Sequence, residues 1–573
     1  MSELPSAGAA ECDVLVVGAG AAGMTAAAVA ATEGAQVRLI EASPLVGGTT
    51  AWSGGMVWIP GNRKRAGVAR ADDLDAARRY LAAVAPRGDG ALINTFLDRG
   101  DEAIAYLEAR TPLRLRPVDA YPDYYPDVPG ATTGGRVLEP LPFDGARLGP
   151  DFRRLRPPLP EFTLLGGMMI SRRDIPHFRQ FGRSAASTLA AVRLVARYGL
   201  ERLRARRGTT LHLGNALAGS LFLACRAAGV TIETSARLAG LDRGAAGLVA
   251  TIGDGAGGVR RIAVARAVVL ATGGFPHDAA LCTERLPAGG SRLSAAVPDC
   301  TGGGIACGRG LGGRLAEGNE TPAFWVPVSR FTRRDGSAGL FPHTVTDRAK
   351  PGMIAVNPAG RRFVNEAVSY HEFVLAMLRE GLSDHLPGYL VCDHRFLRAY
   401  GLGRIRPVPA WMQAQTIRAS ALTGRTPAEL EAAAGLPAGA LVATLRAYNA
   451  AAARGLDPEF GRGTDAYQRH LGDPAREPNP CVAPIDTGPF HAIAIYPATL
   501  GTATGLVTDA EARVLDRDGR PVAGLFACGN DMNSVLGGSY PGPGITLGPA
   551  LTFGYLAGRA AAGTGTTGKD GSP

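Results

Sequence analysis

The N-terminal region passes from a short apolar run to glycines and then to a long alanine-rich stretch. Residues 13–17 read Asp-Val-Leu-Val-Val, and the alanine-rich residues after Gly23 continue to about Glu33. A second apolar run over residues 36–40 ends in Glu41. Short runs rich in β-branched residues predict buried strands, and the alanine-rich stretch predicts a helix. The chain is therefore predicted to begin with a strand–turn–helix–strand unit.

Glycines occupy the turn between the first predicted strand and the helix, which reads Gly18-Ala19-Gly20-Ala21-Ala22-Gly23. In a dinucleotide-binding turn the first glycine allows the tight bend, the second admits a pyrophosphate, and the third permits close helix packing. Glu41 ends the second strand and is placed to accept hydrogen bonds from a ribose. We predict a Rossmann-like α/β domain whose dinucleotide site includes Gly18, Gly20, Ala22, Gly23 and Glu41.

Two later segments repeat the form of a strand that ends in a glycine turn. Residues 267–274 read Ala-Val-Val-Leu-Ala-Thr-Gly-Gly, and residues 524–530 read Gly-Leu-Phe-Ala-Cys-Gly-Asn. The region between them lacks the βαβ rhythm. Both segments resemble recurrent FAD-domain segments of the succinate dehydrogenase/fumarate reductase flavoprotein superfamily. This resemblance implies a cofactor-binding domain that is discontinuous in sequence, formed by 1–274 and 489–563, with an α+β domain inserted at 275–488 that caps the substrate.

Residues 140–208 form a longer insert than such a domain needs, and 180–207 carry a basic amphipathic pattern. On one helical face lie Leu189, Val192, Ala196, Leu200 and Leu203, with Arg193, Arg197 and Arg204 beside them. Such a helix can lie on an anionic membrane surface, and it can also pack its apolar face on its own protein. The first alternative predicts peripheral membrane association.

The net charge of +10 does not indicate nucleic-acid binding. Only Lys64, Lys350 and Lys569 are lysines, so nearly all of the 61 basic residues are arginines, and they are scattered along the chain. No nucleic-acid-binding motif accompanies them. We read this as a compositional bias and expect no nucleic-acid partner.

The remaining composition is typical of a cytoplasmic globular protein. The chain is 46% hydrophobic and 20% charged, and it has no uncharged apolar run long enough to span a membrane. Residues 1–11 lack the features of a signal peptide, and the polar tail 564–573 is predicted to be disordered. The eight cysteines form no Cys-x-x-Cys pair and the nine histidines show no metal-ligand spacing, so we predict no metal site.

A loop near the C-terminus joins two prolines and several glycines to a predicted helix. It reads Ser539-Tyr540-Pro541-Gly542-Pro543-Gly544 and continues into Ile545-Thr546-Leu547. The prolines fix the backbone on either side of Gly542, and the glycines allow a ligand to approach closely. A helix N-terminus carries free N–H groups that suit an anion or a carbonyl oxygen.

The segment after Glu41 resembles the second FAD contact of the succinate dehydrogenase/fumarate reductase flavoprotein superfamily. This resemblance assigns FAD contacts to Gly47, Gly48, Thr49, Thr50, Ser53, Gly54 and Gly55. Members that bind FAD covalently carry a histidine in this stretch, and its absence here favours non-covalent FAD. The resemblance extends to Ala271, Thr272, Gly273, Gly529, Asn530, Gly544 and Leu547 as cofactor-binding residues, and to residues 360–366 as part of a capping domain.

Within that superfamily, the chain resembles the 3-ketosteroid Δ1-dehydrogenases over nearly its whole length outside the insert. The similarity is carried by 539–555, by Pro-Asp-Tyr-Tyr at 122–125, and by Asn-Glu-Ala-Val-Ser-Tyr at 365–370. It implies that Tyr540 and the Gly544 N–H bind the C3 ketone oxygen of a 3-ketosteroid. By the same resemblance Tyr370 removes the C2 proton, Tyr124 assists it, and the flavin takes hydride from C1.

Three alternatives remain open at this point. A fumarate-reductase-like enzyme reduces a C=C bond, but such relatives carry an arginine where this chain has Tyr370. A ketosteroid dehydrogenase could act on the 4,5-bond, and a non-catalytic flavoprotein could bind the same cofactor. Because no second dinucleotide motif is evident, we expect electrons to leave to a quinone or another diffusible acceptor.

Overall fold

The structure is a computed structural model that describes residues 10–563 except 183, 246, 256, 288–291, 334, 346 and 409. The tail 564–573, predicted to be disordered, lies outside the described residues. The strands are β1 Cys12–Val17, β2 Val37–Glu41, β3 Val57–Trp58, β4 Leu115–Pro117, β5 Val137–Pro140, β6 Phe143–Asp144, β7 Thr210–Leu211, β8 Thr231–Thr234, β9 Ala236–Gly244, β10 Gly247–Asp254, β11 Val259–Leu270, β12 Ala323–Thr332, β13 Ala338–Pro342, β14 Met353–Val356, β15 Gly388–Asp393, β16 Leu422–Gly424, β17 Phe490–Thr502, β18 Arg513–Leu515 and β19 Pro521–Ala527.

The α-helices are α1 Ala21–Thr32, α2 Arg70–Val84, α3 Gly90–Arg110, α4 Ile175–Arg179, α5 Ala185–Arg202, α6 Leu213–Ala227, α7 Ala279–Arg285, α8 Gly303–Gly310, α9 Tyr370–Arg379, α10 His394–Ala399, α11 Ala410–Ser420, α12 Pro427–Ala433, α13 Ala440–Ala452, α14 Ala466–Leu471 and α15 Leu547–Ala561. Short 3₁₀ turns lie at Thr49–Trp52, Gly145–Arg154, Pro160–Phe162 and Gly529–Asp531.

An eight-stranded sheet forms the α/β part of the fold. Its main order is β18-β19-β11-β1-β2-β8, and β10 and β9 extend from β11. Strands β1, β2, β8, β11 and β19 pair in parallel. Because crossover helices cover a parallel sheet, its strands are apolar on both faces, and Val14, Leu15 and Val16 are fully buried. The predicted Rossmann-like unit is confirmed as β1, α1 and β2.

A second, six-stranded sheet is antiparallel and has the main order β13-β12-β17-β15-β14, with β16 beside β17. All of its strands come from the middle of the chain, between residues 323 and 502. Strand β17 lies C-terminal to the boundary predicted at 488/489, and it pairs with β12 and β15 of this sheet. The division into a cofactor domain and a capping domain stays a prediction, and this pairing places the return to the first sheet after β17.

The helix predicted at 180–207 spans Ala185–Arg202, and its apolar face does not pack on the protein. Leu189, Val192, Leu200 and Leu203 are 50%, 49%, 67% and 81% exposed, and Ala196 is exposed as well. The opposite face, with Ser187, Ala191 and Tyr198, is the buried one. The packing alternative for the apolar face is therefore wrong. Small residues and one tyrosine hold the helix to the protein and leave the larger apolar side chains outside.

A buried cluster of charges supports the segment that leads to Tyr370. Glu366 accepts hydrogen bonds from the guanidinium groups of Arg362, at 2.9 and 3.0 Å, and Arg462, at 3.1 Å. Arg362 also pairs with Asp457 at 2.7 Å. The side chains of Arg362, Glu366 and Arg462 are at most 1% exposed. Buried charges are tolerated only when they are paired and hydrogen-bonded, so each member holds the others in place.

Replacing the central carboxylate is expected to destabilise the protein strongly. Glu366→Gln leaves two buried guanidinium groups without their shared negative charge, and removal of one partner of a buried pair costs roughly 3–5 kcal/mol. We expect a large drop in the thermal unfolding midpoint. Glu459→Gln is the matched control, because Glu459 is 57% exposed and contacts Arg362 at 3.4 Å. Equal midpoints for the two variants would contradict this account.

Candidate active site

The Tyr-Pro-Gly-Pro-Gly loop is held against the N-terminal half of the chain. The Pro541 carbonyl oxygen accepts hydrogen bonds from the Tyr80 hydroxyl at 2.6 Å and from the Tyr124 backbone N–H at 2.9 Å. Gly544 has φ +95°, and a Cβ atom there would lie 2.5 Å from the Met56 carbonyl oxygen. Both the backbone angle and the close contact exclude a side chain at this position. The loop therefore has a fixed position relative to Met56 and Tyr124.

The three tyrosines singled out from the sequence lie together in the structure. The Tyr370 hydroxyl donates to the Tyr540 hydroxyl at 2.7 Å. The Tyr124 ring is parallel to the Tyr540 ring at 5.8 Å and meets the Tyr370 ring edge-on at 5.9 Å. Each ring is at most 8% exposed. Three segments far apart in sequence thus bring their phenol rings into one buried cluster.

Helix α9 positions Tyr370, which is its first residue. The Ser369 side chain caps the helix by accepting a hydrogen bond from the Glu372 N–H. Arg348, itself 2% exposed, donates through one Nη atom to the carbonyl oxygens of Glu366, at 3.0 Å, and Val368, at 3.1 Å. The backbone is therefore fixed on both sides of Tyr370, which limits where its hydroxyl can lie. Free N–H groups at the helix start also add positive potential near Tyr370.

Of the neighbouring tyrosines 124 and 125, only Tyr124 belongs to the tyrosine cluster. Tyr125 donates its hydroxyl to Glu372 at 2.7 Å, whereas Tyr124 faces Tyr370 and Tyr540. The preceding residue, Asp123, is fully buried and accepts hydrogen bonds from the Trp58 indole at 2.8 Å and the Arg136 guanidinium at 2.7 Å. These bonds fix the segment that carries Tyr124.

The predicted dinucleotide turn has glycines of two kinds. A Cβ at Gly18 would lie 2.2 Å from the Ala271 carbonyl oxygen, and one at Gly23 would lie 1.9 Å from the Gly18 carbonyl oxygen. A Cβ at Gly20 would meet only the Thr50 hydroxyl, at 3.9 Å. Gly18 and Gly23 thus permit close backbone packing, while Gly20 faces open space at the start of α1. This is the space that a pyrophosphate requires.

The 47–55 segment lies beside this turn. The Thr50 hydroxyl accepts a hydrogen bond from the Ala21 N–H at 3.0 Å. A Cβ atom placed on Gly48 would lie 3.4 Å from the Gly20 Cα atom. Gly54 faces open space. By contrast, Gly47 packs on Ala51 and Ala218, and Gly55 packs on Leu213. Ser53 bonds to the Thr50 carbonyl oxygen, and Thr49 lies close to Cys300 and Val297.

Glu41 is oriented toward the same turn. Its carboxylate accepts hydrogen bonds from the Ala19 N–H at 2.8 Å and the Ser43 N–H at 2.9 Å. Burial raises the pKa of Glu41, and these two backbone bonds lower it. A carboxylate can accept about four hydrogen bonds, so two accepting positions remain for ribose hydroxyls.

The other predicted cofactor segments meet near Asp531. The Asp531 carboxylate accepts hydrogen bonds from the Thr272 N–H at 2.6 Å and the Gly274 N–H at 2.9 Å, which joins 271–274 to 529–531. A Cβ at Gly529 would lie 3.0 Å from Ala22. A small cavity of about 30 Å³ lies alongside, and its lining includes Gly529, Asn530, Phe324, Thr546 and Ala550. Leu547 begins α15 at its edge, and Gly273 turns with φ +91°. These residues fit FAD.

Comparison with known proteins shows that the cofactor is FAD. The FAD binding domain family matches residues 13–547. A 3-oxosteroid 1-dehydrogenase from Mycolicibacterium smegmatis is 35% identical over 584 residues, covering 98% of this chain and 99% of the relative. The chain belongs to the 3-ketosteroid Δ1-dehydrogenase family of FAD-binding flavoproteins.

Relatives in this family differ in their named substrates. A 4-oxocyclohex-2-ene-1-carboxylate 5-dehydrogenase from Sinomonas cyclohexanicum is 36% identical over 554 residues, covering 96% of this chain and 93% of the relative. The crystal structure of 3-ketosteroid delta1-dehydrogenase from Sterolibacterium denitrificans, in complex with 1,4-androstadiene-3,17-dione, matches with a TM-score of 0.87 and 33% identity. It covers 96% of this chain and 99% of that chain.

Burial governs the acidity of the tyrosines in this 3-ketosteroid Δ1-dehydrogenase family member. It raises the pKa of Tyr370 well above the ordinary tyrosine value, and the Tyr540 hydroxyl raises it further, while a hydrogen bond with Tyr124 lowers it. Burial also raises the pKa of Tyr540 to about 12 against the lowering effect of its bond with Tyr370. Both phenols are neutral at neutral pH.

Several residues near the site were not found from the sequence. Tyr467 of α14 lies 4.7 Å from the Tyr124 ring, and Phe324 of β12 lies 5.5 Å from the Tyr540 ring. Asp531 joins two cofactor segments. Tyr467 and Phe324 could not be found from the sequence, because they stand in segments without a distinguishing pattern.

Proposed function

We propose that this protein is an FAD-dependent dehydrogenase that introduces a C=C bond beside a ring ketone, converting a 3-oxo-4-ene steroid to the 3-oxo-1,4-diene. The observation that carries this proposal is the 2.7 Å contact between the Tyr370 and Tyr540 hydroxyls next to Gly544. Two phenols at this spacing can reach substituents of adjacent ring carbons, the oxygen on C3 and a hydrogen on C2. The named activity of the relative at 35% identity supports the same reaction.

The ketone must be polarised before a proton can leave its neighbouring carbon. In the proposal, Tyr540 donates its hydroxyl to the C3 oxygen and the Gly544 N–H is the second donor. No hydrogen bond from the Gly544 N–H to another group is formed within the described part of the chain. Two donors aimed at the oxygen stabilise the enolate far better in a buried site than in water. The fixed loop holds both donors in place.

Tyr370 is the proposed base, and Tyr124 supports it by hydrogen bonding. An ordinary tyrosine has a pKa near 10, so forming tyrosinate at neutral pH costs about 4 kcal/mol, and burial increases that cost here. The bond with Tyr124 and the position of Tyr370 at the start of α9 both favour the charged form. Both effects lower the cost of forming the Tyr370 phenolate, the group proposed to accept the C2 proton.

Bound FAD supplies the hydride-accepting chemistry of the reaction. The residues proposed to hold it are those of the turn at Gly18–Gly23, Glu41, the 47–55 segment, and the segments around Thr272 and Asn530. Gly544 and Leu547 are placed by the proposal beside the flavin ring. We propose that a quinone or another diffusible acceptor then reoxidises the cofactor.

We also propose that the exposed face of α5 binds the surface of an anionic membrane. Leu200 and Leu203 are 67% and 81% exposed, and Arg193 and Arg202 of the helix and Arg204 just beyond it are exposed too. Apolar side chains flanked by arginines suit the boundary between acyl chains and anionic headgroups. No helix among the described residues is long and apolar enough to cross a membrane. A sparingly soluble steroid would be available at such a surface.

Anaerobic stopped-flow spectroscopy tests the reaction directly. Mixing the FAD-loaded protein with 4-androstene-3,17-dione is expected to bleach the flavin absorbance, because the ring hydrogen removed from C1 reduces the cofactor. A 1,4-diene-3-one should be recovered as the product. Absence of bleaching with every 3-ketone offered would overturn the proposed reaction.

Tyr370→Phe is expected to retain FAD and steroid binding while the reduction rate falls by roughly 10²–10⁴-fold, the usual contribution of a positioned base. Tyr448→Phe is the matched control, because Tyr448 is also buried but belongs to a separate apolar cluster. Its rate should equal that of the wild type. Full activity of Tyr370→Phe would refute its role as the base.

Vesicle co-sedimentation tests the membrane surface. Leu200→Glu/Leu203→Glu is expected to lose most binding to phosphatidylglycerol-containing vesicles, since burial of each leucine contributes roughly 1.5–3 kcal/mol. Leu386→Glu/Leu456→Glu changes residues of comparable type that are 46% and 53% exposed outside the insert, and should bind like the wild type. Negligible binding of the wild type to anionic vesicles would remove the proposal.

A further inference from the structure

Arg172 carries a half-buried guanidinium group whose described contacts are with a sulfur and an aromatic ring, and no carboxylate pairs with it among the described residues. It lies in the insert, just before α4. One Nη atom is 3.4 Å from the Met56 sulfur, and the guanidinium carbon is 5.4 Å from the centre of the Tyr121 ring. By comparison, the buried Arg136 and Arg362 are paired with carboxylates, and the buried Arg348 donates to four backbone carbonyl oxygens. A partly desolvated guanidinium without an anion is ready to bind one.

The neighbours of Arg172 connect it to the proposed active site. The Met56 carbonyl oxygen is the atom that packs against Gly544. Tyr121 is 2% exposed and precedes Tyr124 on the same fixed segment. A negative charge on the Tyr121 phenol oxygen would raise the pKa of Tyr540, because the two phenols lie near each other. Arg172 therefore borders the tyrosine cluster.

Two further polar groups accompany the guanidinium. The Tyr121 hydroxyl is buried and has no hydrogen-bond partner among the described residues. Burial raises the pKa of Tyr121, and the nearby positive charge of Arg172 partly offsets that increase. The His470 ring lies 4.8 Å from the Tyr121 ring. Partial desolvation lowers the pKa of His470 although its ring is exposed, and the charges of Arg172 and Lys350 lower it further, so Arg172 is the positive member of the set. A guanidinium and two neutral donors form a suitable set for a carboxylate.

We propose that Arg172 binds a carboxylate carried by the substrate, with Tyr121 and His470 as neighbouring donors. The substrate class is then a ring ketone that also bears a carboxylate. This inference rests on the proposed function and adds a second recognition point to it. The carboxylate has two chemical sources: it is attached to a simple cyclohexanone ring, or it ends the side chain of a 3-ketosteroid. Relatives that are 36% and 35% identical are named for oxocyclohexene and oxocyclohexane carboxylates.

The first test uses the unaltered, FAD-loaded protein. Rates of flavin reduction are measured with 4-oxocyclohexanecarboxylate and with 3-oxopregn-4-ene-20-carboxylate, each against its methyl ester. We expect at least one acid to exceed its ester in kcat/KM by roughly 10- to 100-fold, the range for a hydrogen bond to a charged group. The acid that shows the preference identifies the source. Equal rates for both acids and their esters would overturn the proposal.

The second test changes the guanidinium. Arg172→Met is expected to lose the preference for the acid, so that kcat/KM for the acid falls by roughly 10- to 100-fold toward that for its ester. Arg172→Lys should restore part of it, and Arg173→Met, at an exposed neighbouring arginine, should behave like the wild type. Retention of the full acid preference in Arg172→Met would refute the assignment.

A binding measurement separates this inference from the proposed reaction. The saturated acid that lacks the ring ketone, cyclohexanecarboxylate or its steroid counterpart, is titrated while the thermal unfolding midpoint is followed. We expect it to stabilise the wild type and not Arg172→Met, whatever the outcome of the reduction assay. Stabilisation without any turnover of ketones would reject the dehydrogenase proposal alone. Equal shifts for the two proteins would reject the carboxylate site alone.

Discussion

The packing of the Tyr-Pro-Gly-Pro-Gly loop against the N-terminal half of the chain is the constraint on which the site depends. A single carbonyl oxygen, that of Pro541, accepts hydrogen bonds from Tyr80 and Tyr124, and the two glycines after it fit against Trp58 and Met56. These contacts join segments separated by more than 400 residues. They set the position of Tyr540 relative to Tyr124 before any contribution from the second sheet.

The second sheet contributes Tyr370 through a chain of buried charges. Glu366 is held by two arginines, and Arg348 holds the carbonyl oxygens that lead into α9. Rigid placement matters here because a phenol is a weak base, and its hydroxyl must lie at the reacting hydrogen for proton transfer to compete. The polar network and the apolar surroundings thus have opposite effects: one fixes the hydroxyl, and the other disfavours its charged form.

The sequence predicted the parts of this protein that are encoded by local patterns. The β1–α1–β2 unit follows from apolar periodicity, and the positions of Gly18 and Gly23 follow from the backbone distances that they must permit. The tyrosine cluster was predicted from family resemblance. Tyr467, Phe324 and Asp531 could not be predicted, because each acts through a contact with a remote segment. The covered face of α5 could not be predicted either, because amphipathicity identifies an apolar face but does not say which face the rest of the protein covers.

The direct bond between the Tyr370 and Tyr540 hydroxyls has a consequence for discrimination among ligands. In a buried site, separating two phenols that satisfy each other is unfavourable unless new partners replace the lost bond. A ring ketone offers an acceptor to one hydroxyl and a polarised C–H to the other, so it exchanges one set of contacts for another. A hydrocarbon ring of the same shape offers neither. The pair therefore acts as a filter for the carbonyl group, and selectivity arises from the bond that must be given up as much as from those that form.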